Sequence, residues 1–210
     1  MRRFIVLLAG IVGLSALVTG CVKDPMNNIT QEESRIYITN YDSTAIFTGY
    51  KTYSIADSVA VIRDNKGGKS STATDQAYIA AVKKYMQQRG YTLVAKDQAP
   101  DLGVNVNRIY STSTGVISYP DYWGYYGGYQ DPYYWGYGGY GYYVPYSYAV
   151  YQVTEGAMSV DLLDLKNAQA NKQIDVLWTG LIRGSGIFNT GVADTQVKAL
   201  YDQSPYLKAN

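Results

Sequence analysis

Residues 119–151 concentrate 14 of the chain's 24 tyrosines, two tryptophans (Trp123 and Trp135), three prolines and repeated glycine pairs. Glycine loses more backbone freedom on ordering than any other residue, and proline removes a ladder donor, so no long regular element can run through such a stretch. Its aromatics follow no fixed period, which argues against a solenoid. We expect a long loop or irregular hairpin there, with strand character returning over residues 146–153. The fold must therefore be assembled from the regular segments on either side, as one domain over residues 35–210 carrying a Tyr/Gly-rich insertion.

On the N-terminal side, Ile36-Tyr37-Ile38-Thr39 and the alternating Tyr50-Lys51-Thr52-Tyr53-Ser54-Ile55 read as strands. Val59-Ala60-Val61-Ile62 is a third short one, and residues 64–71 read as a turn or loop. Residues 74–89 read as a helix whose Tyr78, Val82, Tyr85 and Met86 line one buried face, with Thr74 as cap and Gly90 ending it in a left-handed turn. Tyr91-Thr92-Leu93-Val94 follows as a strand. Leu102-Gly103-Val104-Asn105-Val106-Asn107 alternates as a half-buried strand, apolar side inward.

On the C-terminal side, Met158-Ser159-Val160-Asp161-Leu162 alternates again, and residues 166–172 form a polar connector. Residues 174–180 read as its hairpin partner, with Ile174, Val176 and Trp178 on one face. A last helix over residues 191–203 buries Val197, Leu200 and Tyr201, is capped by Asn189 or Thr190, and stops before Pro205. The order predicts an α+β domain: a mainly antiparallel sheet with two helices packed on one face, preceded by a signal peptide and a flexible tether.

The N-terminus explains the tether. Arg2 and Arg3 precede an uncharged, mostly apolar run over residues 4–18, the layout of a secretory signal peptide. At about 15 residues the run is short for a bilayer span, which takes ~20. It ends in Leu17-Val18-Thr19-Gly20-Cys21, which resembles the lipobox of bacterial lipoproteins. That resemblance implies removal of residues 1–20 and acylation of Cys21, and several acyl chains on one residue anchor firmly. Residues 21–34 then form the lipidated N-terminus and tether. Lys23-Asp24 is similar to the sorting signals of Bacteroidota surface lipoproteins, and Val22 stands where Asp would signal inner-membrane retention in enterobacteria. We expect a lipid-anchored outer-membrane protein, on either its periplasmic or its surface face.

Composition narrows the chemistry. The 18 basic and 17 acidic residues of the precursor become 16 and 17 once Arg2 and Arg3 leave, a side-chain sum of −1. Nothing suggests a nucleic-acid partner, which would call for a basic stripe. The chain has no histidine, the commonest general base and metal ligand. Cys21 is the only cysteine, so no disulfide framework exists and stability must come from core burial.

Several short motifs follow one another along the chain: Tyr41-Asp42 with Phe47-Thr48-Gly49-Tyr50-Lys51-Thr52-Tyr53, then Arg89-Gly90-Tyr91 after a helix, and Pro100-Asp101-Leu102-Gly103-Val104. Val160-Asp161-Leu162-Leu163-Asp164, Leu177-Trp178-Thr179-Gly180 and a closing helix ending in Ser204-Pro205 complete the set. Taken in order, they resemble the bacterial lipoprotein domain catalogued as domain-of-unknown-function family 4136. The resemblance spans residues 36–206. It implies a lipoprotein with an α+β domain and no established activity, and it supplies no catalytic residues.

Candidate site residues fall into five groups. The aromatics Tyr122, Trp123, Tyr133, Tyr134 and Trp135 suit stacking on sugars, contact with a partner or the membrane interface, since Tyr and Trp combine large area with a polar edge. Against these stand a tolerated surface insertion and self-association in a β-rich state; on the binding reading, deleting residues 122–143 should spare folding but abolish binding to glycan or envelope material. Asp161 and Asp164, three apart in a strand, point to opposite faces; we expect a solvated Asp161 and a turn-forming Asp164. Asp121 and Asp131 lack the spacing of a calcium loop, so no metal is expected. Trp178 belongs to the core. Gly184-Ser185-Gly186 lacks the phosphate-loop signature, and no Gly-x-Ser-x-Gly elbow occurs. Carboxylate-only glycosidase chemistry needs a placed acid pair that the sequence does not display. The expectation is a protein without cofactor or enzymatic activity that is membrane-bound through Cys21 and engages another envelope protein; the alternative is a glycan-binding lipoprotein using the Tyr/Trp loop.

Overall fold

A computed structural model describes residues 30–63, 66–110, 117–118, 132–146, 149–150 and 156–210. Cys21, Asp121, Tyr122, Trp123 and Asp131 lie outside the described residues. The strands are β1 (Ile36–Tyr41), β2 (Thr52–Ile55), β3 (Val59–Arg63), β4 (Lys66–Ser70), β5 (Thr92–Leu93), β6 (Leu102–Ile109), β7 (Ile117–Ser118), β8 (Gly141–Tyr143), β9 (Ala149–Val150), β10 (Ala157–Asp164) and β11 (Gln173–Arg183). The helices are α1 (Ala73–Gln88), a single turn α2 (Ala168–Asn171), and α3 (Ala193–Asp202).

Nine strands form one open sheet in the order β1-β11-β10-β6-β2-β5, with β3 on β6, β4 on β3 and β8 on β11. The sheet is mixed. β1, β11, β10 and β6 run antiparallel in succession. β2 and β3 join β6 in parallel, β5 joins β2 in parallel, and β8 joins β11 in parallel. For β2, β3 and β5 the physical reason lies in α1: strands that precede a crossover helix and pair with one that follows it come out parallel. Residues 66–70 correct the loop expected over 64–71, because they pair antiparallel with β3 as β4.

α1 starts at Ala73, one residue earlier than expected, and its cap is not Thr74. Thr72 is the cap: its hydroxyl accepts from Asp75 N–H at 3.3 Å, and its own N–H donates to the Asp75 carboxylate at 2.8 Å, a closed capping box. Tyr78, Val82, Tyr85 and Met86 are all buried, and Gly90 ends the helix at φ +89°. In α3, Val197, Leu200 and Tyr201 are likewise buried. Both helices pack on the same face of the sheet, over Val104, Val106, Val160, Leu162 and Trp178.

The opposite face is also covered. Leu163, Leu165, Ile174, Val176 and Leu181 there pack beneath Trp135, with Tyr134, Tyr137, Tyr142, Val144 and Tyr146 half-buried around them. All eight residues of β6 and all eight of β10 are buried, so the half-exposed strands expected from their alternation are in fact covered on both sides. The outer face is closed by residues 132–146 of the aromatic insertion, whose base is pinned by antiparallel pairing of Ile117 with Val150 and Ser118 with Ala149.

One register detail redirects a side chain. Leu162 pairs with Trp178 and Leu163 with Val176, which leaves Leu177 as a bulge residue. The extra residue inverts the alternation, so Ile174 and Val176 face the aromatic layer while Trp178 turns to the helices, rather than all three sharing a face.

Candidate functional site

Among the described residues, an open cleft of about 370 Å³ lies at the end of the sheet where β1 and β10 finish and β11 begins. The chain leaves β1 with Asp42 N–H donating to Leu177 C=O at 2.8 Å. Asp42 Oδ1 then accepts from the N–H and hydroxyl of Thr44 at 2.8 and 2.7 Å, which tightens a polar turn. That turn lifts Ile46 into solvent, 73 % exposed at the rim, before a 3-10 turn buries Phe47 and lays Tyr50 along the cleft.

From the other side, Asp164 ends β10 and is buried. Its Oδ1 accepts from Asn167 N–H at 2.9 Å, while its Oδ2 accepts from Tyr50 OH at 2.8 Å and Asn167 Nδ2 at 2.6 Å. The turn-forming part expected of Asp164 is thus present, in a buried setting. Lys166 Nζ donates to Gly49 C=O at 2.6 Å and lies 5.7 Å from the Tyr50 ring centre. Asp175, directly opposite Asp164 in the ladder, accepts from Asn171 Nδ2 at 2.9 Å and Gln173 Nε2 at 2.7 Å.

The electrostatics follow. Burial, and then the neighbouring Asp164 carboxylate, push the Tyr50 hydroxyl above the usual phenol range, so it stays a donor. Asp164 accepts three internal hydrogen bonds. The cleft thereby presents carboxylate oxygens of Asp42 and Asp175, one ammonium group and an apolar lip at Ile46, a lining suited to recognition of a mixed polar and apolar surface. Among the described residues, no group of three or more His, Cys, Asp or Glu is placed to hold a metal ion. No described helix is long and apolar enough to cross a membrane.

The sequence candidates divide. Tyr133 is 74 % exposed. Tyr134 packs edge-on against Trp135, with centroids 4.8 Å apart, and carries Lys96 Nζ 4.3 Å above its own ring. Trp135 is 6 % exposed and lies so close over Gly103 that a Cβ there would meet its ring at 3.1 Å. It is a core residue rather than an open platform. Asp161, expected in solvent, is fully buried on the same face, where Asn107 Nδ2 donates to it and, at 2.9 Å, to Ser159. Thr179 sits beside them, 3.0 Å from the Tyr146 hydroxyl. Asp161 and Asp164 do not converge. Trp178 is buried as expected, its Nε1 donating to Ser204 at 2.9 Å. Sequence reasoning missed the cleft altogether. Its signal was the Asp-Ser-Thr turn after β1 and the Asp-Leu-Lys-Asn turn after β10, each an ordinary side-chain-capped turn until the sheet brings them together.

These features define a class: an α+β domain on one mixed sheet, with two helices over one face and an aromatic segment over the other. The chain belongs to the family described as domain of unknown function (DUF4136), whose pattern matches residues 38–206. It is similar to the crystal structure of a DUF4136 family protein from Bacteroides thetaiotaomicron, at 30 % identity and a TM-score of 0.71, covering 83 % of this chain and 98 % of that one. No curated protein matches the chain.

Proposed function

We propose that this chain is a lipid-anchored outer-membrane lipoprotein with a non-enzymatic role, which engages another envelope protein through the cleft between the turns after β1 and β10. The open cleft of about 370 Å³ carries this reading, because exposed Ile46 beside Asp42, Asp175 and Lys166 suits an irregular protein surface. Acylation at Cys21 and the tether of residues 21–34 would hold the domain at the membrane and raise its local concentration near such a partner.

The test is a photo-crosslinking amino acid at position 46 of the full-length chain in cells. The expected result is a discrete crosslinked envelope protein, lost when Lys166→Glu and Asp175→Lys are combined; a smear or no product would count against the cleft. Exposed Tyr133 and Tyr143 favour the second reading, a glycan-binding lipoprotein using these with Tyr122 and Trp123. Retention on immobilised polysaccharide that falls on Tyr133→Ala would favour it. For the anchor, Cys21→Ser should lose lipid label and membrane fractionation.

A further inference from the structure

β1 forms one edge of the nine-stranded sheet, and among the described residues β11 is the only strand paired with it. Its hydrogen-bonding phase follows from the bond just beyond its end, where Asp42 N–H donates to Leu177. Backbone groups alternate in direction along a strand, so Ile36, Ile38 and Asn40 face β11 as Asp42 does. Tyr37, Thr39 and Tyr41 therefore turn their N–H and C=O groups outward.

Open edges invite pairing, and proteins usually blunt them with short strands, lysines, prolines or irregularities. The other edges of this sheet follow that rule. β5 is two residues long and β8 three, while β4 reads Lys-Gly-Gly-Lys-Ser. β1 has none of these devices. It is six residues of Ile-Tyr-Ile-Thr-Asn-Tyr, without charge, proline or glycine, in unbroken register with β11, and Ile36 and Tyr41 are 43 % and 41 % exposed.

We propose that β1 pairs antiparallel with β1 of a second copy of this chain, continuing the sheet across a two-fold axis. An uncharged strand never sets like charges opposite each other. Arg35 and Asp42 flank its two ends, so antiparallel pairing brings the basic end of one copy beside the acidic end of the other. The phase also fixes the register. A two-fold axis perpendicular to the sheet sets one residue opposite its own counterpart. With Thr39 opposite Thr39, Tyr37 lies opposite Tyr41, and every outward N–H and C=O of both strands is paired. Thr–Thr and aromatic cross-strand pairs are among the stabilising kinds.

The experiment uses the full-length, membrane-bound chain with Thr39→Cys or Tyr37→Cys and a short bifunctional thiol reagent; the parent chain, with Cys21, sets the background. Thr39→Cys should give a covalent dimer several-fold above the parent. Tyr37→Cys, held ~14 Å from its counterpart by the register, should stay at background. No excess dimer for Thr39→Cys, or equal crosslinking at both positions, overturns the proposal. Independently, Thr39→Pro removes an outward N–H where an edge strand tolerates proline, and should convert the detergent-solubilised chain from dimer to monomer mass with an unchanged circular dichroism spectrum. A parent that sediments as a monomer also overturns it.

Discussion

Asp75 and Arg108 show how one buried pair joins a helix start to the sheet centre. Asp75 is fully buried at the third position of α1, and Arg108 Nη2 donates to its Oδ1 at 2.5 Å from β6. Burial alone would raise the Asp75 carboxyl, but the hydroxyls of Ser70 and Thr72, the Thr72 N–H and the Arg108 guanidinium outweigh it and hold the value below the ordinary one. A carboxyl lowered in the folded state contributes stability that is present above its unfolded value of 3.8 and lost as pH falls through the folded value. Arg108→Met leaves the buried carboxylate without its countercharge and should cost about 3–5 kcal/mol in urea unfolding at neutral pH. Asp75→Asn should lack the pair's part of the acid loss, so the gap between its urea midpoint and the parent's should narrow as pH drops from about 5 toward 2. A gap that widens would contradict the sign.

At the scale of elements, α3 meets β11 through a glycine. A Cβ on Gly180 would come within 2.6 Å of the Trp178 ring and 2.7 Å of Leu200. That ring is fixed by its bond to Ser204 and packs on Tyr201 at 5.8 Å, so neither neighbour yields easily. Gly180→Ala should therefore destabilise by about 1–3 kcal/mol, seen as a lower thermal midpoint, whereas an unchanged midpoint would mean the helix stands farther off. Both long helices and their buried faces were legible in the sequence, since Tyr78, Val82, Val197 and Leu200 recur at helical spacing on otherwise polar segments. β4 was not, because Lys66-Gly67-Gly68-Lys69 has turn chemistry and becomes a strand only through pairing with β3. Nor was the bulge at Leu177, which a strict alternation cannot encode. The parallel pairings rest on crossover geometry rather than on any residue pattern. The cleft joins turns more than a hundred residues apart, so no local signal marks it.

The whole molecule is organised by a sheet covered on both faces, and this revises what the tyrosine-rich segment does. Asn105, Asn107, Ser159 and Asp161 alternate with apolar residues and look like a solvent face, yet all are buried. Polar strand positions and a tyrosine-rich insertion were separately visible in the sequence; that one covers the other was not. Deletion of residues 122–143 should therefore unfold the domain or lower its stability, contrary to the expectation for a dispensable loop. Buried tyrosines add an alkaline signature. Burial pushes Tyr53 up to about 12 and raises Tyr78, Tyr91 and Tyr201 further; burial and then Asp164 do the same for Tyr50. Groups raised in the folded state contribute stability that is complete below the unfolded value of 10.0 and lost as pH rises through the folded values. Urea midpoints should fall steeply above that pH, and flat midpoints there would place these hydroxyls in solvent.

The most direct test of the two-faced sheet is the unfolding free energy of Trp135→Ala. Its ring lies buried over Gly103 and Leu165 on the face away from the helices, so its removal should cost about 3–5 kcal/mol by urea denaturation. A variant within about 0.5 kcal/mol of the parent would show the aromatic segment to be a surface loop after all.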